Sequence, residues 1–142
     1  GNHGPVSECQ ENDTDRENAR RLKNDEINAW RNAMEAANYT FEHNGRKWDY
    51  GKSTQTRLEP SVAAAKAGIL PLDFFWTDAQ NNDVPVTSEQ LIALSEAAEN
   101  AMFTKGMEIH IRQRNMKKEI AALNDTVAIM NYKVGWEKEA ET

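Results

Sequence analysis

The sequence has little of what covalent, metal-based or membrane-spanning scaffolds need. Its 142 residues include one cysteine and three histidines, so no intramolecular disulfide can form, and no zinc-ligand spacing is present. No apolar run approaches the ~18 residues of a membrane helix. Nucleophile elbows, glycine-rich phosphate loops and HExxH motifs are also absent. We therefore predict a protein that is not an enzyme and has no cofactor, no metal and no membrane span.

Acidic residues outnumber basic ones, 23 Asp and Glu against 17 Lys and Arg. The formal net charge is −6 and the isoelectric point about 5.1, which argues against a general nucleic-acid binder. Basic residues nevertheless gather in one stretch: Lys105, Arg112, Arg114, Lys117 and Lys118. Such a stretch suits an acidic partner surface, but it also suits a solvated helix face with cations towards the helix C-terminus.

The longest feature is a helix predicted from Thr87 to Leu123. Thr87 and Gln90 are spaced as a capping box. Apolar residues then recur at three-, four- or seven-residue steps: Leu91, Leu94, Ala98, Met102, Ile109, Met116, Ile120 and Leu123. Unbroken, this helix would be roughly 55 Å long, against about 37 Å for the diameter of a compact domain of this length. We expect it either to break at Gly106 or to pack against another chain.

The clearest local pattern is a β-hairpin over residues 39–50. Asn44-Gly45 is the preferred pair for a two-residue type I′ turn, because both positions need positive φ. Strands folded about this turn pair Phe41 with Trp48 and Tyr39 with Tyr50 on one face. Glu42 then meets Lys47 on the other face.

Two further helices are predicted around this hairpin. The first begins at Asp15 or Asp25 and ends near Asn38. Its apolar stripe consists of Leu22, Ile27, Trp30, Met34 and Ala37. The second runs from a cap at Ser53 to Ala67, with Gly68 as a left-handed stop. Pro60 predicts a kink or a second short helix there.

A second hairpin is predicted before the long helix. Residues 72–77 and 84–87 are its strands, and Pro85 limits the return strand to a short or edge position. After Leu123, Asn124 or Asp125 caps a short helix through Met130. The fold class is thus α+β and mostly helical, with long amphipathic helices and two small antiparallel hairpins. We expect a disordered tail or linker over residues 1–14, a single domain over 15–136 and a frayed end over 137–142.

Candidate binding residues come from the long helix and the second hairpin. We predict that Ile109, Met116 and Arg112 face a partner, since the apolar positions of the helix exceed what one small domain covers. Aromatic residues at helical or cross-strand spacing are more often core, but Trp76, beside the polar loop that contains Asn82, is the best candidate for a ligand contact. Asp78, Asn81, Asn82 and Asp83 resemble an oxygen-rich calcium loop, but the alternate acids, central glycine and distal glutamate of such a loop are missing. A turn of Asp and Asn residues explains them more simply.

The order of these features resembles a known family. The residues that carry the resemblance are Trp30-Arg31, Phe41, Asn44 to Asp49, Ser53, Arg57-Leu58, Phe75 to Asp78, Asn81 to Val84, Thr87, Leu91, Lys117 to Ala122 and Ala128. From about Ile27 to Trp136 the chain is similar to a domain family of unknown function that recurs in bacteriophage and prophage tail and tail-fibre proteins.

This resemblance implies a non-enzymatic structural or protein-interaction module of a virion tail, made in the cytoplasm of the bacterial host. Its partners would be other tail or tail-fibre proteins, and we expect a homo-oligomer. Two alternatives stay open: a tail-fibre assembly chaperone, and a receptor- or glycan-binding module that uses Trp76.

Overall fold

A computed structural model describes the backbone of residues 4–137 and the side chains of residues 13–137. Its elements in chain order are α1 (Gly4–Ala36), β1 (Tyr39–His43), β2 (Arg46–Tyr50), α2 (Lys52–Lys66), β3 (Phe75–Thr77), β4 (Asp83–Pro85), α3 (Ser88–Ala122) and α4 (Thr126–Asn131). The strands form two separate two-stranded antiparallel sheets. The predicted mostly helical α+β class is confirmed.

The described residues divide into two compact units. One joins the residues up to Met34 with those from Ile109 onward, and the other is Glu35–Glu108. Helix α1 begins at Gly4, within the stretch predicted to be a tail. Residues 1–3 and 138–142, to which the predicted tail and frayed end extend, lie outside the described residues.

The first hairpin of the Glu35–Glu108 unit confirms the predicted register. Strands β1 and β2 pair Tyr39 with Tyr50, Phe41 with Trp48 and Glu42 with Lys47. Asn44 and Gly45 have φ values of 53° and 76°, as the turn requires. The Tyr39 and Tyr50 rings lie 5.6 Å apart. The turn therefore fixes the register that brings these aromatic residues together on one face of the hairpin.

The second hairpin is also confirmed, with shorter strands than predicted. Strands β3 and β4 pair Trp76 with Val84 and place Pro85 opposite Phe75 at the end of the ladder. The unit's core is made of five buried residues from β2, α2 and α3: Tyr50, Leu58, Ala65, Leu91 and Ala98.

Helix α2 begins and continues differently from the prediction. Its N-cap is Gly51, without a side-chain cap, and the Ser53 hydroxyl lies 3.2 Å from Asn38 Oδ1 instead. The predicted Ser53 cap is therefore wrong. Pro60 lies inside one helix and does not start a second one. Gly68, at φ 76°, follows its end as predicted.

The other unit buries one side of α1 against the later part of the chain. Its core consists of Ala19, Ile27, Met116, Ile120 and Ile129. Trp30 packs edge-on against Trp136, with ring centroids 5.0 Å apart. Leu22, predicted to lie in the apolar stripe of α1, is exposed, whereas Lys23 is buried.

Lys23 replaces Leu22 on the inner side because its ammonium has main-chain and carboxylate partners there. Its Nζ donates to the Tyr132 carbonyl at 2.9 Å and lies 3.2 Å from Glu26 Oε1. The four-carbon stem can pack like an apolar side chain while the charged end is hydrogen-bonded. A pattern based on residue type alone assigns such a position to solvent.

The N-termini of α3 and α4 have the predicted caps. The Thr87 main-chain N–H donates to Gln90 Oε1 at 2.9 Å, and the Gln90 N–H donates to Thr87 Oγ1 at 3.1 Å. This pair is the predicted capping box. Asp125 caps α4 by accepting a hydrogen bond from the Ala128 N–H at 3.0 Å.

Helix α3 does not break at Gly106. The helix is continuous from Ser88 to Ala122, which corresponds to a length of about 52 Å. Apart from the adjoining backbone of α3 itself, no atom lies within 4 Å of the position that a Cβ on Gly106 would occupy, and its φ is not positive. Glycine at this position therefore only weakens the helix.

Replacing Gly106 with alanine should stabilise the protein by about 0.5–1 kcal/mol, because alanine loses less backbone entropy in a helix interior. Urea unfolding of Gly106→Ala and the wild type measures the difference. Gly68→Ala is the matched control. Its site is equally open, but φ is +76°, so this change should destabilise the protein. Destabilisation by Gly106→Ala would contradict an uninterrupted α3.

Candidate functional site

Ile109 and Met116, predicted to face a partner, lie on the buried side of α3. Their side chains are 1% and 0% exposed, and Met116 belongs to the core with Ile27 and Ile129. This prediction needs correction, because residues of the same chain already cover these two positions. A glutamate at either position would place a carboxylate in the interior and unfold the protein rather than separate subunits.

Arg112 also serves the interior of its own chain. Its Nε donates to the Gly135 carbonyl at 2.6 Å, and its Nη1 lies 3.9 Å from Glu119. Only 11% of its side chain is exposed. Arg112 therefore anchors the segment that follows α4 and is not free to meet a partner.

Two methionines on α3 test which side of the helix is buried. Met116→Ala should destabilise the protein by about 2–5 kcal/mol, because it leaves a cavity in the core. Met107→Ala removes the same atoms from an exposed side chain and, at a protein concentration low enough that association adds no stability, should change stability by less than about 0.5 kcal/mol. Denaturant unfolding of both variants checks this. Similar costs for the two would mean that the buried side is assigned wrongly.

The Asp78–Asn82 loop forms a hydrogen-bonded turn around one carboxylate. Asp78 Oδ1 accepts from the main-chain N–H groups of Gln80 at 2.9 Å and Asn82 at 2.8 Å. Asp78 Oδ2 accepts from Arg46 Nη1 at 3.0 Å and from the Asn82 side-chain amide at 3.3 Å. Asn82, predicted as a ligand contact, thus shapes the loop. The loop is thus a turn of Asp and Asn residues, as the sequence predicts.

This carboxylate also joins the two hairpins of its unit. Arg46 belongs to β2, and Asp78 directly follows β3. Beside this ion pair, the Ala79 N–H donates to the Lys47 carbonyl at 2.8 Å. The bond from the Asn82 N–H is the largest cause that lowers the pKa of Asp78, and the Asn82 amide, Arg46 and the Gln80 N–H lower it further.

The depressed pKa predicts a stability loss in acid. Unfolding returns Asp78 to an ordinary aspartate pKa near ~3.9, so its ionised form stabilises the fold above that pH. Stability should fall as the pH drops below about 4 and through the lower folded-state pKa. Urea unfolding across this range measures the loss. Asp78→Asn lacks the titrating group, so an equally steep pH dependence in that variant would contradict the assignment.

Trp76 lies beside a cleft but also packs on the core. The cleft has a volume of about 510 Å³, and its lining includes Trp76, Phe74, Asp49 and Arg57. The Trp76 ring stacks on Phe74 with centroids 6.4 Å apart, and both rings pack against the buried cluster of their unit. The structure thus places Trp76 and Asn82 in the same hairpin, with packing and turn roles of their own.

The side of α3 opposite the core carries exposed apolar side chains that the sequence reasoning missed. We call Phe103, Met107 and Ile111 the α3 apolar row; they are 71%, 43% and 52% exposed. Steps of four residues place all three on one side of this uninterrupted helix. The same periodicity that revealed Ile109 and Met116 could have revealed this second, outward row.

The part of the chain that the structure describes has neither a metal-ligand cluster nor a membrane-spanning helix. Among those residues, no group of three or more histidines, cysteines or acids is arranged to hold a metal ion. No described helix is long and apolar enough to cross a membrane. The α3 apolar row is the candidate functional surface because it groups three exposed apolar side chains on one side of a helix.

Comparison with known proteins identifies a family. Residues 18–134 match the family described as a domain of unknown function, DUF4376. The chain belongs to this family, and the match covers nearly the same span as the resemblance in the sequence. No curated protein and no solved structure matches the chain.

Proposed function

We propose that this member of the DUF4376 family is a non-enzymatic protein-interaction module of bacteriophage or prophage tails. It assembles with other tail or tail-fibre proteins through the exposed side of α3, and it is made in the cytoplasm of the bacterial host. The α3 apolar row carries this proposal. The ordered features from Trp30 to Ala128, which are similar to a family found in tail proteins, supply the tail context.

The physical reason is the position of the row. Phe103, Met107 and Ile111 follow one another along one continuous helix, and most of the Phe103 side chain faces solvent. Scattered single apolar residues are normal on a protein surface, but consecutive ones on one helix face are typical of a docking surface. Covering them stabilises an assembly by roughly 25 cal/mol per Å² of apolar area removed from water.

Incorporation into particles tests the proposal. Quantitative mass spectrometry of tail particles from the bacterium or phage that encodes the chain should find it at a fixed ratio to other tail proteins. Phe103→Glu should abolish incorporation, because it places a charge in the docking surface while leaving the core untouched. Circular dichroism of the purified variant checks that the fold is kept.

Leu72→Glu is the matched control, since Leu72 is fully exposed in the same unit but lies outside α3. It should be incorporated like the wild type. The chain's absence from purified particles, together with its presence in cells that assemble them, would reject the structural role and favour an assembly chaperone. Normal incorporation of Phe103→Glu would reject the α3 row as the docking surface.

A further inference from the structure

We infer that the partner on the outer side of α3 is a second copy of this chain, held in antiparallel orientation by two-fold symmetry centred on Met107. This inference rests on the proposed use of the α3 apolar row for assembly. It adds the identity of the partner, the direction of the two helices and the residues that meet.

The outer side of α3 has apolar residues at its centre and opposite charges at its ends. Glu96 lies eleven residues before Met107, and Lys118 lies eleven residues after it. At 100° per residue, both positions fall within about 20° of Met107 around the helix. All three side chains are exposed.

The spacing along this side is symmetric about Met107. Phe103 and Ile111 lie four residues before and after it, and Asn100 and Arg114 lie seven residues before and after it. These four side chains are also exposed. A two-fold axis at Met107 therefore places Phe103 opposite Ile111 and Asn100 opposite Arg114 of the other copy, as a self-complementary interface requires.

Charge decides the direction of pairing. In an antiparallel pair, Glu96 of each copy lies opposite Lys118 of the other, and symmetry makes this contact twice. In a parallel pair, Glu96 would lie beside Glu96 and Lys118 beside Lys118, which is repulsive at both ends. Charges that flank an apolar seam set partner orientation in this way in paired helices.

The net negative charge of the chain does not prevent the pairing of Glu96 with Lys118. Each copy has a net charge of −6, so two copies repel one another at long range. Physiological salt screens exposed charges beyond about 8 Å, whereas facing side chains on paired helices lie within that distance. No ion pair within the described residues occupies Glu96, Arg114 or Lys118.

Solution mass and charge reversal test the pairing. Analytical ultracentrifugation of the full chain over a concentration series should show a monomer–dimer equilibrium. Glu96→Lys and Lys118→Glu should each weaken dimerisation about tenfold, because each creates two like-charged contacts. The double variant Glu96→Lys/Lys118→Glu should restore wild-type dimerisation.

Two control variants change charge by the same amount elsewhere. Asp73→Lys and Lys133→Glu alter exposed residues outside α3 and should dimerise like the wild type. A wild-type chain that remains monomeric at every concentration would overturn the inference. Failure of the double variant to regain dimerisation would overturn the antiparallel register.

Disulfide trapping reports the direction of the helices independently. In a Cys9→Ser background, an oxidised mixture of Phe103→Cys and Ile111→Cys chains should form a covalent heterodimer. Either variant alone should form much less, because antiparallel pairing separates identical positions. Efficient trapping of each variant with itself would instead indicate parallel helices and reject the inference.

The outcomes also separate this inference from the proposed function. A monomeric chain whose Phe103→Glu variant is lost from tail particles would mean that a different tail protein covers α3. A chain that dimerises as described but is absent from particles would reject the tail role and retain the dimer.

Discussion

Burial of one side of helix α3 is the interaction on which both compact units depend. Leu91 and Ala98 enter the core that includes Tyr50 from β2, and Met116 enters the core that includes Ile27 from α1. Because α3 is one uninterrupted helix, fixing its inner side also fixes which residues point outward. The exposure of the α3 apolar row is a direct consequence, since the chain's own apolar contacts are made on the opposite side.

Long basic side chains hold the segments that follow α3 and α4 in place, in the unit that contains residues from Ile109 onward. Arg20, Lys23 and Arg112 each donate to a main-chain carbonyl, of Leu123, Tyr132 and Gly135 respectively. Carbonyls that follow a helix have no partner within it, so they need donors from elsewhere. The basic residues of α3 thus have two roles: Arg112 holds this segment, whereas Arg114 and Lys118 remain on the outer side.

In the Glu35–Glu108 unit, the buried carboxylate of Asp78 holds two segments together through hydrogen bonds. Asp78 accepts hydrogen bonds from two main-chain N–H groups, one amide and one guanidinium. These donors offset the cost of removing the charge from water. Two short hairpins, each marginal by itself, are thereby joined through Arg46 and through the Ala79–Lys47 main-chain bond.

Sequence by itself determined the features that depend on neighbouring residues. The Asn44-Gly45 turn set the register of the first hairpin, and Thr87 with Gln90 set the start of α3. Asp125 set the start of α4 in the same way. Each depends on hydrogen bonds or φ angles within a few residues, so spacing along the chain was enough to predict it.

Tertiary structure alone decided which surfaces are covered. Periodicity correctly placed Ile109 and Met116 on one side of α3, but it could not tell whether that side meets the same chain or another. Lys23 is buried in place of Leu22 because the Tyr132 carbonyl, distant in sequence, accepts a hydrogen bond from its ammonium. Burial is a property of contacts between distant segments, and residue type constrains it only on average. The candidate docking surface therefore lies on the side of α3 that these contacts leave exposed.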